Sequence, residues 1–204
     1  MERLDETSAR ETLAAAFDAN AETMQALRGE RGVLLEAARL IADALANEHT
    51  LLICGNGGSA ADAQHLAAEF VGRFLKERRP YPALALHTNT SAVTAIGNDY
   101  GFEQVFSRQV LAHGRPDGVL WAITTSGNSP NILAAIAAAR EVGMSVVGFT
   151  GGAGGAMAQG DEGGGTAGLC DVCLVVPTSS TPRIQEAHIF AGHVICELVE
   201  DALC

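Results

Sequence analysis

The chain has 204 residues, 48% hydrophobic and 18% charged, the balance of a soluble globular protein long enough for one α/β domain with a sizeable core. A net charge of −11 argues against a nucleic-acid backbone or an anionic membrane as the main partner, while a phosphorylated metabolite can still be held by local backbone dipoles. With aromatics at only 5%, stacking on bases or flat sugar faces is not a theme.

Two Ala/Leu/Glu-rich stretches with helical periodicity open the chain, at about 7–28 and 31–47. A short apolar run, 50–54, reads as the first strand. It leads into Cys54-Gly-Asn-Gly-Gly-Ser-Ala-Ala-Asp62. Gly55, Gly57 and Gly58 let the backbone turn sharply beside a ligand, and Ser59 with Asp62 resembles a capping box. Free N–H groups and the positive dipole end of the following helix, predicted over 59–78, favour phosphate. His65 and Glu69 are four residues apart and so share one face of that helix, as a metal or acid/base pair would.

A strand at 82–86 precedes helices at 90–96 and 103–113, with Asn98-Asp99-Tyr100-Gly101 as a polar turn between them. A strand at 118–123 runs into Thr124-Thr-Ser-Gly-Asn-Ser129, where hydroxyls and N–H groups gather at a strand's carboxyl end. Ser129 reads as the cap of a helix over 129–143, with Pro130 in its first position. After a strand at 145–150, Gly151–Gly168 is glycine-rich and reads as a flexible surface loop; no Gly-Lys-Ser/Thr follows, so a nucleotide loop is disfavoured. A strand at 171–176 leads to a last helix, 182–203, with Thr181 as cap and Pro182 behind it. Gln185 and His193 lie roughly on one side of this helix, two turns apart, and His188 points elsewhere. Two imidazoles with carboxylate and amide oxygens would suit a borderline divalent ion such as zinc, but spacing alone does not bring the two helices together. Arg73 and Arg183 could reach a phosphate or be solvated, and His87 and His113 carry no spacing signal.

The alternation predicts one α/β domain over 1–204: a doubly wound parallel sheet of about five strands in 49–204, preceded by two helices in 1–48. Ligands bind such sheets at the carboxyl ends of strands near a topological switch point, where the 55–59 turn falls. The five cysteines are odd in number and scattered, as expected in a reducing cytoplasm. Cys170-x-x-Cys173 has no second pair and reads as two small buried or edge residues facing opposite sides of a strand. No leader pattern and no apolar run of about 18 residues is read, so a cytoplasmic protein without a membrane span is expected.

Cys54-Gly-Asn-Gly-Gly-Ser-Ala-Ala-Asp-Ala-Gln-His65, Ala95-Ile-Gly-Asn-Asp-Tyr-Gly101, Thr125-Ser-Gly-Asn-Ser-Pro-Asn131 and Arg183-Ile-Gln-Glu-Ala-His188 together resemble the sugar isomerase (SIS) family. The resemblance runs in one order over nearly the whole chain. It implies a flavodoxin-like five-stranded fold and a homotetramer, built with the 1–48 helices, whose active sites lie between subunits; that would explain how the 59–78 and 182–203 helices share a site. It implies ketose–aldose isomerisation of a phosphorylated heptulose, sedoheptulose 7-phosphate, as the first step of heptose-precursor synthesis for lipopolysaccharide. By position, Ser59, Thr124, Ser126 and Ser129 would hold the phosphate. Asn56, Gly57, Gly58, Asn98, Asp99 and Thr125 would line the substrate with Glu69 and Gln185. Glu69 and His193 match the acid/base pair, and His65, Glu69, Gln185 and His193 the zinc ligands of some members. Thr124 stands where the family usually has Ser, which keeps the hydroxyl, and the glycine-rich insertion at 159–168 is unusual. The competing reading is a non-catalytic relative that binds the replication initiator; the presence of Glu69, His193 and the complete 125–129 turn argues against it. A sugar-phosphate-sensing regulator would add a basic DNA-binding helical domain, which is not read here.

Overall fold

The computed structural model describes residues 5–159 and 168–204. Five short strands, β1 (Leu51–Gly55), β2 (Ala83–Ala85), β3 (Val119–Ile123), β4 (Ser145–Gly151) and β5 (Val172–Val176), form one parallel sheet in the order β2-β1-β3-β4-β5. That is the flavodoxin-like order, with its switch point between β1 and β3. β1 and β3 are buried along their whole length, which explains their unbroken apolar runs. Side chains alternate between two cores. Leu51, Ile53, Trp121, Ile123 and Phe149 face one, and Leu52, Cys54, Leu120, Ala122 and Val146 face the other.

The first core is closed by α1 (Glu6–Leu27), α2 (Arg31–Ala46), α3 (Gly58–Val71) and α8 (Thr181–Leu203). The second is closed chiefly by α5 (Ser107–His113) and α6 (Pro130–Val142); α4 (Thr90–Tyr100) and the short α7 (Gly155–Gln159) complete the helices that are described. α2 buries Leu34, Ala37, Ala38, Ile41, Ala42 and Leu45, an i, i+3, i+4, i+7 stripe. α1 differs: over 22 residues it buries only Thr23 and Leu27, and it leaves Leu13 and Phe17 58% and 73% exposed.

α3 and α8 pack against each other within one chain, so their meeting needs no subunit boundary, contrary to expectation. Close approach is possible because position 192 is glycine: a Cβ there would stand 2.7 Å from Leu66 Cδ2. Other expectations are corrected locally. The helix expected over 59–78 stops at Val71, because the backbone N–H groups of Phe74, Leu75 and Lys76 turn to the Glu200 carboxylate on α8. α4 runs on through Asn98 and Asp99 and ends at Gly101, φ +88°, so those residues form a last helical turn rather than an Asx turn. A 3₁₀ turn, Phe102–Gln104, precedes α5, which starts four residues later than expected. The glycine-rich stretch begins as the end of β4 and contains α7; residues 160–167 of the unusual insertion lie outside the described residues. Cys170 and Cys173 approach the same point beside Gly148 instead of facing apart, because Cys170 precedes β5 in a turn where strand alternation does not apply. All five cysteines are free. Among the described residues no helix is long and apolar enough to cross a membrane.

Candidate active site

The turns after β1 and β3 sit side by side at the switch point. After β1, Gly57 takes φ +54° and ψ −120°, a conformation that favours glycine, and it forms the N-cap of α3. Intrahelical bonds begin at Ala60, whose N–H reaches the carbonyls of Asn56 and Gly57, so the N–H groups of Gly58 and Ser59 precede them at the positive end of the helix. Ser59 is therefore inside the first turn rather than the cap. Its expected capping partner Asp62 leaves Oδ2 buried without a hydrogen bond, and burial, partly offset by His65, pushes the Asp62 carboxyl up to about 6.

After β3, the Thr124 hydroxyl lies 3.0 Å from Ser129 Oγ and 3.5 Å from Ser126 Oγ, and Ser126 Oγ accepts from the Asn128 N–H at 3.2 Å. Ser129 sits at the N-cap of α6 without making a side-chain cap bond; its hydroxyl turns to Thr124 instead. Three hydroxyls gathered over a helix N-terminus form a cradle of the kind suited to an oxyanion. Thr125 and Ser126 also line a cleft of about 240 Å³ with Gly151, Gly152, Ser179 and Thr181. The two turns are tied by a reciprocal amide pair: Asn56 Nδ2 donates to Asn131 Oδ1 and Asn131 Nδ2 donates to Asn56 Oδ1, both at 2.8 Å. Asn131 is buried, and sequence reasoning gave it no role; the available signal was an amide in the first turn of an otherwise apolar helix.

Farther along α3, His65 Nε2 stands 3.1 Å from Glu69 Oε1 and 3.1 Å from His193 Nε2 of α8. Ligand atoms of the three residues all lie within 4.8 Å of one another. Phe74 stacks on His193, with ring centroids 5.5 Å apart and an interplanar angle of 22°. With a proton on His65 Nε2, one N–H faces two acceptors; with the proton on His193 Nε2 instead, the Glu69 oxygen faces the His65 lone pair. A cation between the three atoms removes that conflict. Tetrahedral zinc with bonds of about 2.0–2.1 Å would hold its ligand atoms roughly 3.3 Å apart, close to the two 3.1 Å separations from His65 Nε2. The donor set therefore fits a divalent metal of zinc type.

Gln185 lies two turns before His193 on α8, and its amide rests on Gly58: a Cβ there would stand 2.5 Å from Gln185 Nε2. It thus touches the cradle end of α3. Asn98 and Asp99 sit on the exposed last turn of α4, where Asn98 Nδ2 donates to Asp99 Oδ1 at 2.8 Å. His188 is buried and its Nε2 meets the Thr150 carbonyl oxygen at 3.1 Å, away from the cluster as expected. Burial pushes His188 down to about 4, partly opposed by that carbonyl. Thr181 is the first residue of α8, one position inside its Ser180 N-cap. Arg183 is engaged by the Ala16 carbonyl and Glu186, and Arg73 pairs with Glu77 at 3.9 Å.

The profile described as the SIS domain matches residues 16–151. A phosphoheptose isomerase of Rhodospirillum rubrum is 58% identical over 171 residues, 84% of this chain and 86% of that protein. One of a Geobacter species is 50% identical over 194 residues, 95% and 96% of the two chains. The solved structure of phosphoheptose isomerase from Neisseria gonorrhoeae superposes with a TM-score of 0.84 at 43% identity, covering 95% of this chain and 99% of its own. Similarity at this level along almost the full length leaves one assignment: the chain belongs to the SIS-domain family, among the phosphoheptose isomerases.

Proposed function

We propose that this enzyme converts sedoheptulose 7-phosphate to D-glycero-D-manno-heptose 7-phosphate, with the Glu69–His193 pair moving the proton between C1 and C2. The observation that carries this reading is the convergence of His65, Glu69 and His193 from two helices distant in sequence, in a chain whose switch point carries a hydroxyl cradle. Ser59, Thr124, Ser126 and Ser129 hold the phosphate, with Asn56, Gly57, Gly58, Thr125 and Gln185 beside it and Asn98 and Asp99 on the sugar. Glu69 accepts the C1 proton of the ketose and returns it to C2, while His193 serves the two oxygens as the enediol forms and collapses. General acid/base groups of this kind contribute typically about 10²–10⁴-fold each. His65, Glu69 and His193 would hold a zinc ion, which would supply Lewis-acid stabilisation of the oxyanion; the family implies Gln185 as a fourth ligand, but its amide here rests on Gly58 instead.

A homotetramer with sites between subunits is part of the proposal. Ser59 and Glu69 are about 15 Å apart along α3 by helical rise, so one chain presents cradle and acid/base cluster as separate stations. α1 leaves Leu13 and Phe17 outside, and α4 buries no residue. Free cysteines support a cytoplasmic location, and the product on this reading feeds heptose-precursor synthesis for lipopolysaccharide. The test is incubation with sedoheptulose 7-phosphate in metal-free, zinc-loaded and chelated protein, with products read by NMR. Aldose 7-phosphate is expected with zinc and is reduced by chelation. No conversion in any arm would refute the activity, and full conversion by metal-free protein would refute the role of zinc.

A further inference from the structure

Glu200, in the last turns of α8, and Arg78, beyond the end of α3, are both charged and almost completely buried, their side chains 2% and 3% exposed. Neither belongs to the site described above. Glu200 accepts four bonds: Oε1 from the Phe74 N–H at 2.8 Å and Arg78 Nε at 2.9 Å, and Oε2 from the N–H groups of Leu75 at 2.7 Å and Lys76 at 2.9 Å. Burial pushes its carboxyl up, but these donors outweigh it and hold the carboxyl below the usual range. Arg78 continues the network backwards. Its Nη2 donates to the carbonyl of Glu69 at 2.6 Å and its Nη1 to that of Phe70 at 2.9 Å, while its guanidinium lies 4.5 Å from the Tyr81 ring centroid. Both carbonyls end α3; that of Phe70 also accepts from the Tyr81 N–H at 3.0 Å, while that of Glu69 is served by Arg78.

One ion pair therefore grips both halves of the acid/base cluster. Through Arg78 it fixes the backbone of Glu69. Through Glu200 it fixes the Phe74 backbone, and Phe74 stacks on His193. We propose that Glu200 and Arg78 are positioning residues for the isomerisation, setting the relative placement of Glu69 and His193. The inference rests on the reading of those two as the acid/base pair. A pair that served only to close the chain would not need to bond the Glu69 carbonyl or place an aromatic face on His193.

Three variants test it. Glu200→Gln replaces one oxygen by an NH₂ that must face donors on either side. Arg78→Lys keeps the charge but loses the forked contacts. Phe74→Leu removes the ring and leaves the ion pair, so it stays informative if the first two fail to fold. Ile136→Val, in the opposite core, sets the baseline for a plain loss of stability. The expected result is a fall in kcat of about 10–100-fold with KM within about 3-fold, since misplacement by about 1 Å costs roughly that much. The His193 imidazole NMR signals should also move in each variant, because the Phe74 ring current shifts them. Wild-type kcat in folded Phe74→Leu, or kcat falling only as far as in Ile136→Val, would overturn the proposal. Glu69→Gln and His193→Gln are run alongside: if they turn over normally, the acid/base reading fails by itself, whatever Glu200 does.

Discussion

Removing the Asn131 amide tests whether the two turns of the cradle act as one unit. Asn131→Ala deletes both 2.8 Å bonds to Asn56 at a position that is almost fully buried. Two neutral hydrogen bonds contribute about 1 kcal/mol each, and an amide left unpaired adds about 1–3. Asn56 is only half-buried and can recruit water, so the lower end applies: stability should fall by about 2–3 kcal/mol in all. Asn56→Ala should cost a similar amount, and the double variant little more than either, giving a coupling of about 1–2 kcal/mol in a double-mutant cycle. The assay is denaturant unfolding at fixed protein concentration, paired with substrate KM. KM should rise in each single variant, because the N-termini of α3 and α6 lose their common alignment towards the phosphate. Additivity within about 0.5 kcal/mol would refute the tie, as would an unchanged KM in both single variants.

Glu69→Gln should remove most turnover, by about 10²–10⁴-fold, while substrate still binds, because glutamine keeps the shape but takes no proton; near-normal kcat would end that assignment. Ser126→Ala and Ser129→Ala should each weaken substrate binding roughly 10- to 150-fold, the loss of a charge-assisted bond of about 1.5–3 kcal/mol, and binding titrations with unchanged affinity in both would move the phosphate elsewhere. For His188 the sign follows from its depressed value. The folded pKa is about 4 and the unfolded about 6.5, so the unfolded chain binds the proton first and stability falls as pH drops through that window. Unfolding at several pH values should show wild type losing about 3 kcal/mol relative to His188→Gln between pH 7 and pH 4, and a constant difference would contradict it.

Much of this protein is decided locally. All five strands were legible as short apolar runs, since a sheet covered on both faces needs nothing else. The turns after β1 and β3 were legible because they are made of glycine, hydroxyls and helix N-termini close in sequence, and the His65/Glu69 spacing gave the face they share. What sequence left open is every fact that depends on a distant partner. α3 stops at Val71 because a carboxylate 126 positions beyond Phe74 captures its N–H. Ser59 is a poor guide to its helix start, because it falls inside the helix, whereas Ser129 is the N-cap as read but turns its hydroxyl to Thr124. His193 meets His65 only because Gly192 lets α8 approach Leu66, and spacing within either helix carries no trace of that contact. Periodicity reports which face is apolar; only packing decides what that face is pressed against, and the meeting of His65, Glu69 and His193 is a consequence of packing.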